Sequence, residues 1–260
     1  MLILLPPSEG KTPPRRGGQL DLSRLTMPAL AAPRSKVLAA LVALCQSDEA
    51  VVAARTLGLG VTQHHEVARN ARLREAPTAR AERIYSGVLY EALDLATLTG
   101  PDSRRATSWL AITSSLFGLV RPSDRIPAYR LSGDVTLPGV GPVATFWSRH
   151  LDAAVREAAG SGLIVDLRSS TYTPFWRPGA DLAKRVATLR VLHEVDDTRL
   201  VVSHFNKATK GRIVRALLEE GTAPRTPHRF AEHLTALGWT VEVGPPGRAG
   251  TRIDVVVGQL

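Results

Sequence analysis

Lysine is scarce in this chain, and its placement is informative. The sequence has 33 Lys+Arg in 260 residues, and reading along it gives 5 lysines against 28 arginines. Lys207 and Lys210 stand close together, with Arg212 and Arg215 just beyond and no acidic residue between Ser203 and Leu218. That stretch carries a local charge of +4 by count. Ser203-His204-Phe205-Asn206-Lys207-Ala208-Thr209-Lys210-Gly211-Arg212 follows an apolar run and precedes a helical pattern. A hairpin turning at Gly211 into a basic helix would offer backbone amides and cations to a phosphate.

Further polar bursts follow other strand-like runs. Pro6-Pro7-Ser8-Glu9-Gly10-Lys11 places a hydroxyl, a carboxylate and an ammonium after Leu2-Ile3-Leu4-Leu5. Asp166-Leu167-Arg168-Ser169-Ser170-Thr171-Tyr172 closes the run that begins at Leu163. The segment from Leu116 through Arg121 to Tyr129-Arg130 is rich in turns and arginine. Each alone also fits a solvated turn, but together they point to one shared anion-binding cleft. Two kinds of chemistry suit it. Lys11, Arg121, Arg130, Arg168, Asn206, Lys207, Lys210, Gly211 and Arg212 would hold phosphate groups by charge, largely without regard to sequence. Alternatively, Ser8, Glu9, Asp166, Tyr172 and His204 would serve an enzyme acting on a nucleotide, nucleoside or other phosphorylated small molecule. Glu9 or Asp166 would then be the base and His204 the acid.

Other chemistries find no support. Gly10-Lys11-Thr12 lacks the earlier glycine of a phosphate-binding loop, since Leu5 stands there, and Pro13-Pro14 follow where a helix should begin. His64-His65 are adjacent and His228 and His233 are five apart, so neither pair makes a metal-binding helix face, and no metal or cofactor is expected. Cys45 is the sole cysteine, which excludes an internal disulfide and a resolving-thiol cycle. No apolar run approaches the roughly 18–20 residues of a membrane span, and the start lacks a signal-peptide pattern. A soluble, cytoplasmic, monomeric protein without membrane contact is the expectation. The net charge of +9 is mostly arginine background, so only its clustering counts.

The elements that must position these residues are legible in outline. Leu2–Leu5, Trp109–Thr113 and Leu163–Leu167 read as strands. Thr188–Val195 and Leu200–Phe205 read as a hairpin, and Trp239–Val243 with Arg252–Val257 as a closing pair. Helical spacing marks Ser35–Cys45, Thr78–Leu98, Thr145–Ala159, Gly211–Glu220 and Pro227–Leu237, while residues 12–33 read as irregular. With no repeat and no linker, residues 1–260 form a single mixed α+β domain in this reading.

The residues also carry a resemblance. Leu-Leu-Pro-Pro-Ser-Glu-Gly-Lys-Thr at the start, Leu-Phe-Gly-Leu-Val-Arg-Pro with Pro-Ala-Tyr-Arg-Leu, Thr145-Phe-Trp, Val165-Asp-Leu with Ser-Thr-Tyr172, and Phe205-x-Lys-Ala-x-Lys-Gly-Arg resemble the YaaA family of peroxide stress-response proteins. They occur in the family's order from residue 1 to about residue 220. The resemblance implies an unusual α+β topology with a basic cleft, a helix-hairpin-helix-like element and DNA binding. It also implies a role in limiting free iron and oxidative DNA damage. Carried over, the hairpin falls on Lys207, Lys210, Gly211 and Arg212, the cleft arginines on Arg121 and Arg130, and the N-terminal lysine on Lys11.

Overall fold

The computed structural model describes residues 1–195, 198–200 and 203–258; from 195 to 204 it is the backbone that is described. Leu2-Ile3-Leu4-Leu5 has no polar face, so it makes a strand only where both faces are covered. It forms β1 (Leu2–Leu5), fully buried inside the main sheet. The chain continues through α1 (Ala31–Gln46), α2 (Ala50–Thr56), α3 (His65–Ala71), β2 (Ala79–Arg80), α4 (Ala81–Ile84), α5 (Val88–Leu93) and α6 (Gly100–Trp109). Next come β3 (Leu110–Ser114), β4 (Gly118–Val120), β5 (Arg125–Ile126), β6 (Thr136–Leu137), β7 (Gly141–Pro142), α7 (Val143–Ser148) and α8 (Leu151–Ala159). The rest is β8 (Ile164–Asp166), α9 (Ala180–Ala183), β9 (Val186–Val195), β10 (Thr198–Leu200), α10 (Ser203–Glu220), α11 (Pro227–Ala236), β11 (Thr240–Gly247) and β12 (Gly250–Val257).

The main sheet runs β11-β12-β9-β8-β1-β3-β4, with β10 also paired to β9. Its central strands β12, β9, β8, β1 and β3 are all parallel. Strands β4, β10 and β11 are antiparallel additions. Helices therefore alternate with a parallel core, and the α+β expectation is corrected to a mixed α/β architecture. Direction was hidden because β1 and β8 are short apolar runs whose neighbours are distant in sequence. Taken in chain order, the parallel strands lie 2-1-3-4-5 from β3 to β12. In that order the chain leaves β1 to one side and β8 to the other, so the carboxyl ends of these two strands are the switch point where doubly wound sheets take their ligands.

Local deviations bear on the site. The single helix expected over Thr78–Leu98 is broken into α4 and α5 at Tyr85-Ser86-Gly87, where Gly87 has a φ of +98° that a continuous helix cannot use. Lys11 forms a backbone bridge to Tyr85 at this break. The expected hairpin of β9 and β10 pairs Val195 with Thr198 and His193 with Leu200. Its second strand stops at Leu200, however, and α10 already begins at Ser203. The turn residues 196–197 lie outside the described residues.

One helical run was underestimated. Pro28–Gln46 spans 19 residues with a mean hydropathy of 1.4, long and apolar enough to cross a membrane by length and composition. Its apolar residues Leu30, Val37, Leu38, Leu41 and Val42 are packed into the core. The fully buried Arg34 on the same helix donates to Phe117 O (3.0 Å), Leu119 O (2.7 Å) and Thr26 O (2.8 Å). A guanidinium thus satisfies carbonyls of the β4 edge that no strand covers.

Candidate functional site at the carboxyl edge of the sheet

Pro6 and Pro7 end β1 because neither can donate to the ladder. The loop they start is pinned to the break between α4 and α5. Tyr90 Oη donates to Pro6 O (2.7 Å), Ser86 N donates to Ser8 Oγ (3.1 Å), and the Ser8 hydroxyl donates to Gly10 O. This folds Lys11 inward. Its Nζ donates to Ser8 O at 2.8 Å and lies 4.4 Å from the Tyr129 ring centroid and 5.5 Å from that of Tyr85. Ring faces attract a cation but replace water poorly. Burial accordingly pulls the Lys11 pKa down to about 8, against the opposing pull of nearby Glu9.

All 4 tyrosines of the chain are buried. Tyr85 Oη and Tyr129 Oη share a hydrogen bond of 3.0 Å, and Tyr129 Oη and Ser114 Oγ one of 2.7 Å. Tyr85 also stacks on Tyr90 with centroids 5.5 Å apart. Desolvation pushes Tyr85 up to about 12 and raises Tyr90, Tyr129 and Tyr172 well above the usual phenol range. These phenols are neutral donors across the physiological range.

Tyr172 arrives from the loop after β8, and its hydroxyl donates to Glu9 Oε1 at 3.2 Å. Arg130 Nη1 forms an ion pair with Glu9 Oε2 and donates to Glu9 O at 3.3 Å. The backbone of Arg130 is itself clamped by the buried Asn70. Asn70 Nδ2 donates to Arg130 O (2.7 Å), and Arg130 N donates to Asn70 Oδ1 (2.9 Å). Behind them, Ser115 follows β3 and is fixed by Trp147 Nε1 donating to its carbonyl at 2.7 Å. Trp147 reaches that carbonyl because Gly118, at φ +74°, leaves room; a Cβ there would lie 2.6 Å from its ring. The hydrogen bonding of buried groups is left incomplete here: Thr113 Oγ1, Ser115 Oγ and Arg130 Nε have no hydrogen-bond partner among the described residues.

The remaining candidates separate by environment. Asp166 and Arg168 form a buried bidentate pair, Arg168 Nε to Oδ1 at 2.9 Å and Nη2 to Oδ2 at 2.7 Å. Arg168 also donates to Tyr172 O (3.2 Å) and Trp176 O (2.8 Å). Asp166 is thus engaged as an internal counter-ion, and Arg168 braces the loop that carries Tyr172. Lys210 points inward and donates to Leu167 O at 2.9 Å; burial lowers its pKa. Arg121 lies at the opposite, amino edge of the sheet, donating to Ser108 O and Leu110 O, each at 2.8 Å. It does not share a cleft with Arg130.

The turn expected at Gly211 is replaced by the continuous helix α10. A Cβ on Gly211 would lie 2.3 Å from Leu89 O, so this glycine allows α10 and α5 to touch. Lys207 and Arg212 are exposed on that helix. Five residues apart, they stand about 140° from each other around its axis. Asn206 Oδ1 is buried without a partner among the described residues. The side chain of His204 lies outside the described residues. Cys45 is buried, and desolvation raises its thiol to about 11, which leaves it inert.

The sequence reading therefore brought Ser8, Glu9, Lys11, Arg130 and Tyr172 to one place. It missed Asn70, Tyr85, Tyr90, Ser114 and Ser115. The rarity of tyrosine was the available signal for two of these; Asn70 carries no motif at all.

Comparison with known proteins agrees with the resemblance seen in the motifs. The family model described as "Peroxide stress protein YaaA" matches residues 1–242. A UPF0246 protein from Streptomyces coelicolor is 48% identical over 100% of both chains. One from Corynebacterium efficiens is 43% identical over 98% of this chain and 100% of its own. Another, from Corynebacterium glutamicum, is 40% identical over 94% of this chain and 96% of its own. The chain belongs to the YaaA peroxide stress protein family, UPF0246.

Proposed function

We propose that the carboxyl-edge site binds a nucleotide or other phosphorylated small molecule and moves a proton on it, as this protein's part in the peroxide stress response. One observation carries the reading. Lys11, Arg130 and Tyr172 come from three distant segments and meet Glu9 at the crevice between β1 and β8. Doubly wound sheets place ligands there. Arg130 supplies a partly buried cation for the phosphate, and the phenols supply neutral donors. Lys11 is the proton-transfer group, since an amine near pKa 8 is neutral in about a tenth of molecules at pH 7.

A second reading is DNA binding, favoured by the exposed Lys207 and Arg212 on α10, whose Lys210 reaches the β8 loop. Protection of DNA and limitation of free iron belong with that reading. A thermal-shift screen of nucleotides and phosphorylated metabolites, run beside a duplex DNA titration at several salt concentrations, separates the two. The small-molecule reading expects saturable stabilisation by a phosphorylated compound. Strongly salt-dependent DNA binding with no response to any small phosphate would replace it with the second.

A further inference from the structure

Glu9 is the exposed member of a group whose other members are buried or partly buried. Its side chain is 48% accessible against 17% for Arg130, and Tyr172 is buried behind it. It belongs to the Pro-Pro-Ser-Glu-Gly loop, where its side chain borders solvent. Both its carboxylate oxygens are engaged, Oε2 by Arg130 Nη1 and Oε1 by the Tyr172 hydroxyl.

The residues that hold it nevertheless keep idle donors nearby. Arg130 Nε and Ser115 Oγ are buried without hydrogen-bond partners among the described residues. The Ser115 hydroxyl lies beside that of Tyr172, whose pKa burial raises and Ser115 pulls back down. Idle buried donors are costly, and the acceptor sites of a carboxylate lie in one plane, so Glu9 as held here leaves these two unengaged. A terminal phosphate has three free oxygens on a tetrahedron. It can accept from a guanidinium through two nitrogens and still meet the two hydroxyls. An internal phosphodiester has only two free oxygens and lacks that third acceptor.

We infer that Glu9 is a built-in stand-in for the terminal phosphate of a monoester ligand, holding Arg130 and Tyr172 in place until the phosphate displaces it. This rests on the carboxyl edge being a phosphate site and adds two things, the ligand's class and a competitor within the chain. The free protein keeps a buried cation paired, and the ligand must outcompete a tethered carboxylate to bind.

Calorimetric titration tests this with adenosine 5′-monophosphate, inorganic phosphate and dimethyl phosphate as probes, on wild type, Glu9→Gln and Glu9→Ala. Both variants are expected to bind the monophosphate about three- to tenfold more tightly than wild type, in keeping with loss of one partly screened ion pair. Dimethyl phosphate, lacking the third oxygen, is expected to bind more weakly than inorganic phosphate throughout. Equal or weaker monophosphate binding by both variants overturns the stand-in role and leaves the phosphate site intact. Equal affinity for the diester overturns the ligand class. Failure of every protein to bind any probe overturns the phosphate site and this inference with it.

Discussion

Lys11 shows how one residue type acquires a function from its surroundings. Three features hold its amine: the ring faces of Tyr85 and Tyr129 and the Ser8 carbonyl. Its pKa falls to about 8 from an ordinary 10.5 because burial disfavours the charged form. The sign of the pH dependence follows. Between those values the unfolded chain holds a proton that the native state has lost, so stability rises with pH across the window. Below it, the native state bears the cost of a buried charge. Relative to a Lys11→Met variant, wild type should gain up to about 3 kcal/mol between pH 8 and 10.5, measured by denaturant unfolding at each pH. A difference that stays flat with pH would mean the amine is solvated. The same logic sorts the arginines: Arg130 keeps an unpartnered Nε, whereas Arg34 and Arg168 spend their donors on carbonyls and Asp166. Sequence alone does not distinguish these roles, because the groups that meet Arg34 and Arg130 lie far off in the chain.

At the scale of elements, Gly211 is the instructive position. In the sequence, a glycine among basic residues reads as a turn that admits phosphate. In the fold it lies inside α10, and α5 passes so close that a Cβ would fall 2.3 Å from a backbone oxygen. Glycine normally costs a helix about 1 kcal/mol against alanine. Here Gly211→Ala should instead destabilise by about 1–3 kcal/mol, because the neighbouring backbone cannot yield. Chemical denaturation checks this, and a stabilised variant would restore the flexible turn. Local spacing identified β1, β8 and the β11–β12 hairpin, since each is a compact pattern bounded by proline, glycine or polar residues. It could not reveal that α4 and α5 are separate, because Tyr85-Ser86-Gly87 reads as helix until Lys11 pairs across it. Nor could it give the direction of the parallel strands, whose partners lie far off in the chain.

For the whole molecule, the strand order decides what the scattered motifs mean. Loops after β1 and β8 emerge beside each other only because β8 returns to the free side of β1. That placement joins Glu9 to Tyr172 across 163 residues. It also sends Arg121 to the opposite edge, where it supports the start of β3. The candidate site was legible as a set of residue types following strands. Its membership was not, since membership depends on long-range topology. Net charge explains little of it, since the exposed Lys207 and Arg212 lie on α10 whereas the donors gathered at Glu9 come from the loops after β5 and β8. The most direct measurement is calorimetric titration of a nucleoside 5′-monophosphate into wild type, Arg130→Gln and Lys207→Ala/Arg212→Ala. The carboxyl-edge account predicts binding about ten- to a hundredfold weaker in Arg130→Gln and unchanged in the α10 variant, as expected for loss of a charge-assisted hydrogen bond. Undiminished binding by Arg130→Gln, with loss in the α10 variant, would contradict it.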